Sequence, residues 1–575
     1  MNTRKLSHII KVASGELPAD IVIRNCRIVD PISQTISEGS IAVYGGFIVG
    51  IGDYHGEKEI DGEGRYAVSG FIDAHVHIES AMCTPEAYGE MVIPLGTTTV
   101  VADPHEIANV KGIDGLQFMI NSARRSPLKA HFMVPSCVPA VDFENSGAVL
   151  DSESIESLLG EKSILGLGEM MNSPGVYGTQ EQVLEKLSAA INAGKPIDGH
   201  APGLFGKLLN AYRVGGITTD HECTTPEEVR ARLKRGMYVL LRQGSAAQDL
   251  EKLLPAVTQA NSRRCAFCSD DKHAGDILRH GHINHNVKIA VKAGVDVFSA
   301  IAMATINAAE CYRLKNTGLI APGYLADIVL FDDLENFDAQ MVFINGQLVA
   351  QGGKVLFPVS NRVDKAVTHS VNIAPVTEKM LQIPLKTSQA KVISLHSHSL
   401  VTDCVTRTVA VKNGAFAFDS AVPVQKLVVV ERHRATGKIG CALIENYGVT
   451  EGAVATTVAH DSHNLVVAGD NDRDILLALQ ELEHQGGGLT LVHRGKVVDT
   501  VALPIAGIMS DTSAFEVSKG VDHLTELAHN LLGINRNIDP FMSLSFLCLP
   551  VIPHIKLTPE GLFNVDSFSF TDCNG

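Results

Sequence analysis

Between residues 66 and 322 a short apolar run gives way to a helix-patterned segment eight times over. A strand followed by a covering helix pairs parallel with the next strand of the same kind, and eight such units in roughly 250 residues are what a closed (β/α)8 barrel requires. The runs end near His75, Ala102, Val134, Glu169, His200, His221, Arg242 and Asp270. Between them, "TQEQVLEKLSAAINAG" predicts a helix with Val183, Leu187 and Ile191 on its inner face. In "TPEEVRARLKRG", Thr225 is placed to cap and Pro226 to occupy the first helical position.

The flanks read differently. From Asp20 to Gly52 apolar and polar residues alternate between Asp-Pro, Ser-Glu-Gly and Gly-Gly turns, the pattern of a small antiparallel sheet, and a similar pattern returns from Gly323 to Val355. The expected organisation is a discontinuous, β-sandwich-like domain from 1–65 with 323–371, a barrel over 66–322, and an α/β domain over 372–575. In the last region "TRTVAVKNG" and "KLVVVERHR" read as strands and "DRDILLALQELEHQ" as a helix.

Composition removes several function classes. Apolar residues make up 45% of the chain against 19% charged, which describes a globular protein with a large core. The formal charge of −16 is spread out, without a basic block, so neither nucleic acid nor an anionic membrane surface is an expected partner. No segment has the length and hydropathy of a spanning helix or of a signal sequence. Eleven cysteines without a regular framework fit reduced thiols and a cytoplasmic location.

The chemistry concentrates at the strand ends. In "GFIDAHVHIESAM", His75 and His77 alternate on one strand, so both face the same way and can grip one metal ion. A histidine pair alone proves little: His396 and His398 in "SLHSHSL" have no comparable company and read as surface or packing. The first pair has Glu169, His200, His221 and Asp270, each closing an apolar run at the end of a later strand, and a parallel barrel gathers those ends at one mouth. Imidazole and carboxylate ligands suit Zn, Mn, Fe or Co, and six ligands exceed the needs of one four-coordinate ion. Two ions are therefore expected. His75 and His77 hold one, His200 and His221 the other, and Glu169 bridges them. Asp270 binds with one oxygen and takes a proton with the other.

These strand ends, with the flanking β-segments, resemble the amidohydrolase superfamily over roughly residues 20 to 355. Many members bridge their metals with a carbamylated lysine on the fourth strand, where this chain has Glu169. That departure, together with "DPHEIANV", "GLGEMMN", "GHAPGL", "TDHE", "GHINHNVKIAV", "VAHDSHN" and "LPIAGIMSD", is similar to the bacterial adenine deaminases over nearly the whole chain. The resemblance implies hydrolytic deamination of adenine to hypoxanthine and ammonia by a metal-bound hydroxide, as part of purine salvage or catabolism. It further implies two Mn2+ or Fe2+ ions, with Zn2+ as the alternative, Asp270 and Glu169 as catalytic residues, and a homo-oligomer.

Secondary candidates are Asp103, His105 and Glu106 after strand two, placed to line the substrate pocket or to bind an extra ion, Arg242 at the end of strand seven, placed to contact the substrate, and His460 and His463 in "HDSHN", placed to act as a lid over the mouth or to contribute a ligand. Each also has a plainer role, as a turn residue for the Asp-Pro segment and "HDSHN" or as an ion-pair partner for Arg242. Three rival readings are weighed. The zinc deaminase pattern H-x-E with P-C-x-x-C is imitated by His77, Glu79, Cys265 and Cys268, but its proline is missing, and the cysteines read as strand packing. A cyclic-amide hydrolase acting on a dihydropyrimidine or hydantoin ring needs similar groups. A non-catalytic metal-binding relative would be expected to lack one of the six ligands.

Overall fold

A computed structural model of the chain describes every residue except Met1, Asn361 and His398. Its centre is a ring of eight strands: β1 (Phe71–Val76), β2 (Thr97–Ala102), β3 (Lys129–Val134), β4 (Ile164–Met170), β5 (Ile197–Gly199), β6 (Thr219–Asp220), β7 (Tyr238–Arg242) and β8 (Cys265–Cys268). Parallel ladders join β1 through β5 and β6 through β8. Two narrow seams complete the circle. At one, Thr218 N donates to Ile197 O over 3.1 Å, and at the other Asp270 N donates to His75 O over 3.0 Å beside a parallel bridge between Val76 and Asp270.

The interior is filled from opposite walls by Ile72, Ala74, Val101, Met133, Leu240, Ala266 and Cys268, a cluster separate from the larger core between strands and helices. Cys265 and Cys268 are fully buried strand residues, and all eleven cysteines are free thiols.

The helix Glu181–Asn192 buries Val183 and Leu187, but Ile191 is 53% exposed, contrary to the expectation from spacing. Each step of four residues overshoots a turn by about 40°, so a second step carries residue 191 off the face and Ala190 takes its place in the core. The helix Pro226–Leu233 starts as expected, with Thr225 and Glu228 forming a reciprocal capping box.

Nine strands from the two flanks form one sheet, in which Ile328–Phe331 lies beside Tyr66–Ser69. The sheet is not purely antiparallel. Ala19–Asp30 pairs parallel with Gly56–Asp61 and with Tyr66–Ser69, because a register break between Ile23 and Cys26 lets one long strand serve two partners. Tyr66–Ser69 thus belongs to this sheet, a few residues beyond the boundary the sequence suggests.

The C-terminal region is an eight-stranded, mostly antiparallel sheet carrying the helices Asp472–Gln485 and Ala514–Leu531. It packs onto the barrel through Ser510 N to Met82 O at 2.9 Å and Asn464 Nδ2 to Asn145 O at 3.0 Å. Among the described residues no helix is long and apolar enough to cross a membrane.

Candidate metal centre

The carboxyl ends of the barrel strands bring the six expected ligands together. β1 stops at Val76 and its ladder with β2 is irregular between Asp73 and Val76, so His77 belongs to the following turn rather than to an unbroken strand. Even so, the two Nε2 atoms lie 3.2 Å apart.

Hydrogen bonding fixes what that proximity means. His77 Nδ1 lies 2.8 Å from the Asp103 carbonyl oxygen, and His75 Nδ1 lies 3.3 Å from Asp198 Oδ2. Both acceptors require Nδ1 to carry the proton, which leaves both Nε2 atoms as bare lone pairs facing each other. Such a pair is repulsive unless a cation sits between or one ring takes up a proton. This donor set fits the metal that the fold implies.

Asp270 Oδ1 lies 3.1 Å from His77 Nε2 and 3.6 Å from His75 Nε2, with Glu169 Oε1 at 3.3 Å and 4.0 Å from the same atoms. The other glutamate oxygen, Oε2, lies 2.7 Å from His200 Nδ1 and 3.2 Å from His221 Nε2. Glu169 therefore faces one group of donors with each oxygen. It is held there from behind: its own N–H donates to Asp103 Oδ2 over 2.8 Å, and Gly168 is required because a Cβ at that position would collide with the Asp103 carboxylate. Asp270 takes a φ of 56°, the left-handed region that turns the chain sharply out of β8.

The electrostatics of the cluster favour positive charge. Burial opposes ionisation of Glu169, yet His221 and His200 hold its carboxyl well below the usual range. His221, also penalised by burial, is pushed up to about 9 by Glu169. Burial likewise opposes charge on Asp270, but in the metal-free protein a protonated His77 and the Arg242 guanidinium keep it well below an ordinary aspartate.

The secondary candidates separate. His105, Glu106, Arg242 and His460 line a cavity of about 520 Å³ over the metal donors. Asp103 and His463 do not line it: Asp103 is fully buried beneath Glu169, and His463 stands behind Glu106, donating to its carboxylate. Arg242 is saturated with acids, its Nη1 lying 2.8 Å from Asp270 Oδ2 and its head pairing with Glu222 and with Asp249 at 3.4 Å. The other histidine pair lies elsewhere: His396 pairs with Asp403 at 2.9 Å on the surface, and His398 lies outside the described residues.

Sequence reading missed three contributors. Glu222 lies 3.5 Å from His221 Nε2 and 3.9 Å from His200 Nδ1; its signal was a second strand-end acid, in "DHE". Asp198, two residues before His200 and so on the same side of the strand, orients His75. The apolar wall from Phe546 and Leu549 to Pro553 gave no signal, because it reaches the barrel mouth from the C-terminal region.

Two family profiles match the chain, one described as the amidohydrolase family over residues 66–349 and one as the adenine deaminase C-terminal domain over residues 399–569. An adenine deaminase of Nitratidesulfovibrio vulgaris strain DP4 is 50% identical, covering 98% of each chain. Adenine deaminase 2 of Carboxydothermus hydrogenoformans is 46% identical over 98% of this chain and 99% of its own. One from Geobacillus kaustophilus is 46% identical over 98% of each. With both its barrel and its C-terminal region matched, the chain belongs to the adenine deaminase family of the amidohydrolases.

Proposed function

We propose that the protein hydrolyses adenine to hypoxanthine and ammonia at a dinuclear metal centre. The observation that carries this reading is the match to adenine deaminases at up to 50% identity over 98% of the chain, spanning both regions that enclose the cavity. His75, His77 and Asp270 would hold one ion and His200 and His221 the other, with Glu169 shared between them. When bound, the ions supply Lewis acidity that makes hydroxide available near neutral pH. Manganese or ferrous iron is the proposed native pair, with zinc as the alternative.

The chain's own residues manage protons and position. Asp270 accepts a proton from the attacking water and passes it toward the departing ammonia. Arg242 keeps Asp270 ionised and aims it, and so acts through the carboxylate rather than on the ring. Asp103 positions Glu169, and His463 positions Glu106. The faces of the purine lie against the wall from Phe546 to Pro553, which supplies apolar surface opposite the charged floor. The reading extends to a cytoplasmic setting, supported by the free cysteines, and to assembly as a homo-oligomer. On the same reading, the nine-stranded sheet, the barrel and the C-terminal region are three domains.

The test is apoprotein reconstituted separately with Mn2+, Fe2+ and Zn2+ and offered adenine, adenosine, cytosine and dihydroorotate. Ammonia release and ring absorbance are followed. Turnover of adenine is expected; turnover of dihydroorotate without adenine would overturn the assignment in favour of a cyclic-amide hydrolase.

A further inference from the structure

Beside the dinuclear centre, on the far side of His105, lies a second group of metal donors drawn from both halves of the molecule. Glu106 Oε1 lies 3.3 Å from His105 Nε2 and 2.5 Å from His460 Nδ1, and Asp461 Oδ1 lies 4.0 Å from His105 Nε2. All four side chains are buried, Asp461 at 4% exposure, and Asp461 Oδ2 has no hydrogen-bond donor although it lines the same cavity.

The unpaired acceptor argues for a cation. His105 Nδ1 lies 3.3 Å from Glu169 Oε1 without a hydrogen bond to it, while Nε2 faces the carboxylates of Glu106 and Asp461. Two buried carboxylates meeting at two imidazoles, with Asp461 Oδ2 left without any donor, are what a cation at this place would satisfy. His463 is not part of the donor set. Its Nδ1 accepts the Ala459 N–H over 3.0 Å, so its proton is on Nε2, where it donates to Glu106 Oε2 and steers Oε1 toward the cluster.

We propose that His105, Glu106, His460 and Asp461 bind a third divalent cation, of the manganese, iron or zinc class suited to mixed imidazole and carboxylate donors. The ion clips residues 460 and 461 of the C-terminal region to the helix His105–Ala123 of the barrel. The proposal is independent of which ring the enzyme hydrolyses, since it concerns only the number and place of the ions.

The experiment counts metal. Full-length protein is saturated with MnCl2, freed of loose ions by gel filtration and assayed by elemental mass spectrometry, alongside His460→Asn and Asp461→Asn. Three ions per chain are expected in the parent and two in each variant. Crystals grown in MnCl2 provide a check that needs no variant to fold, an anomalous peak being expected among the four side chains. Two ions per chain in the parent, or no peak there while the dinuclear pair is occupied, would overturn it.

Discussion

Replacing Glu169 by glutamine keeps the size of the side chain but removes its charge and turns one acceptor into a donor. Oε1 lies 3.3 Å from His77 Nε2 and Oε2 lies 2.7 Å from His200 Nδ1, so whichever oxygen becomes the amide nitrogen now points N–H bonds at atoms that should ligate metal. The electrostatic loss can be sized. A unit charge about 4 Å from another, at an effective dielectric of about 20, contributes about 4 kcal/mol, and roughly 1.4 kcal/mol is a decade. Losing one unit of attraction at each ion therefore weakens each by about a thousandfold. Glu169→Gln should hold fewer than two ions after gel filtration over a chelating resin, and ammonia release from adenine should fall by at least a comparable factor. The Asp103 contact to the Glu169 N–H is unaffected, so the metal-free variant should keep the parental fold by circular dichroism. Two tightly held ions and a parental rate in the variant would refute the shared role of this carboxylate.

Arg242→Gln removes the guanidinium from Asp270 Oδ2, so the Asp270 pKa should rise and the acid limb of kcat/KM should move to higher pH by about 1–3 units; an unmoved limb with a lowered plateau would contradict it. Gly168→Ala drives a methyl group into the Asp103 carboxylate and should lower metal affinity by about 10–100-fold, measured by competition with a chelator, as disturbing a group that orients a ligand does. Burial pushes the Lys556 amine down to about 7, so above that pH the unfolded chain keeps a proton that the folded chain has lost, and stability rises with pH up to the ordinary lysine range. Lys556→Met should therefore melt above the parent at about pH 6 and lose that advantage toward about pH 10, at up to roughly 1.4 kcal/mol per unit; a difference independent of pH would refute the account. Phe546→Ala should raise the KM for adenine more than it lowers kcat if this ring forms part of the purine wall, which steady-state kinetics would show.

The barrel was readable because its strands are buried on both faces, so most appear as short, largely apolar runs with a polar residue at or near the mouth. The functional residue is the last but one of β4, the residue immediately after β5 and β6, and the second residue after β8. The nine-stranded sheet was readable only in outline. Alternation marks a half-buried strand but does not say whether its neighbour runs parallel, and the break between Ile23 and Cys26 that decides the pairing has no local signature. Asp198 was within reach, since a strand that aims His200 at the mouth aims the residue two before it into the same interior. Glu222 offered a weaker signal, an acid two residues past a two-residue strand, where periodicity no longer says which way a side chain points.

Three closely spaced histidine pairs show where local reading ends. His75 and His77 form a site because they meet bare nitrogens and carboxylates at the barrel mouth. His396 meets Asp403, on the surface. His460 and His463 both meet Glu106, across 354 and 357 positions of sequence. Spacing is similar in all three, so what distinguishes them is the partner, and the partner is set by how the domains pack. The third pair carries further consequences than the first. It makes Glu106, in the first turn of the barrel helix His105–Ala123, depend on the C-terminal region for its orientation, and that same region supplies the apolar wall. Perturbing the segment from His460 to His463 should therefore alter the barrel site without touching any of its six expected ligands.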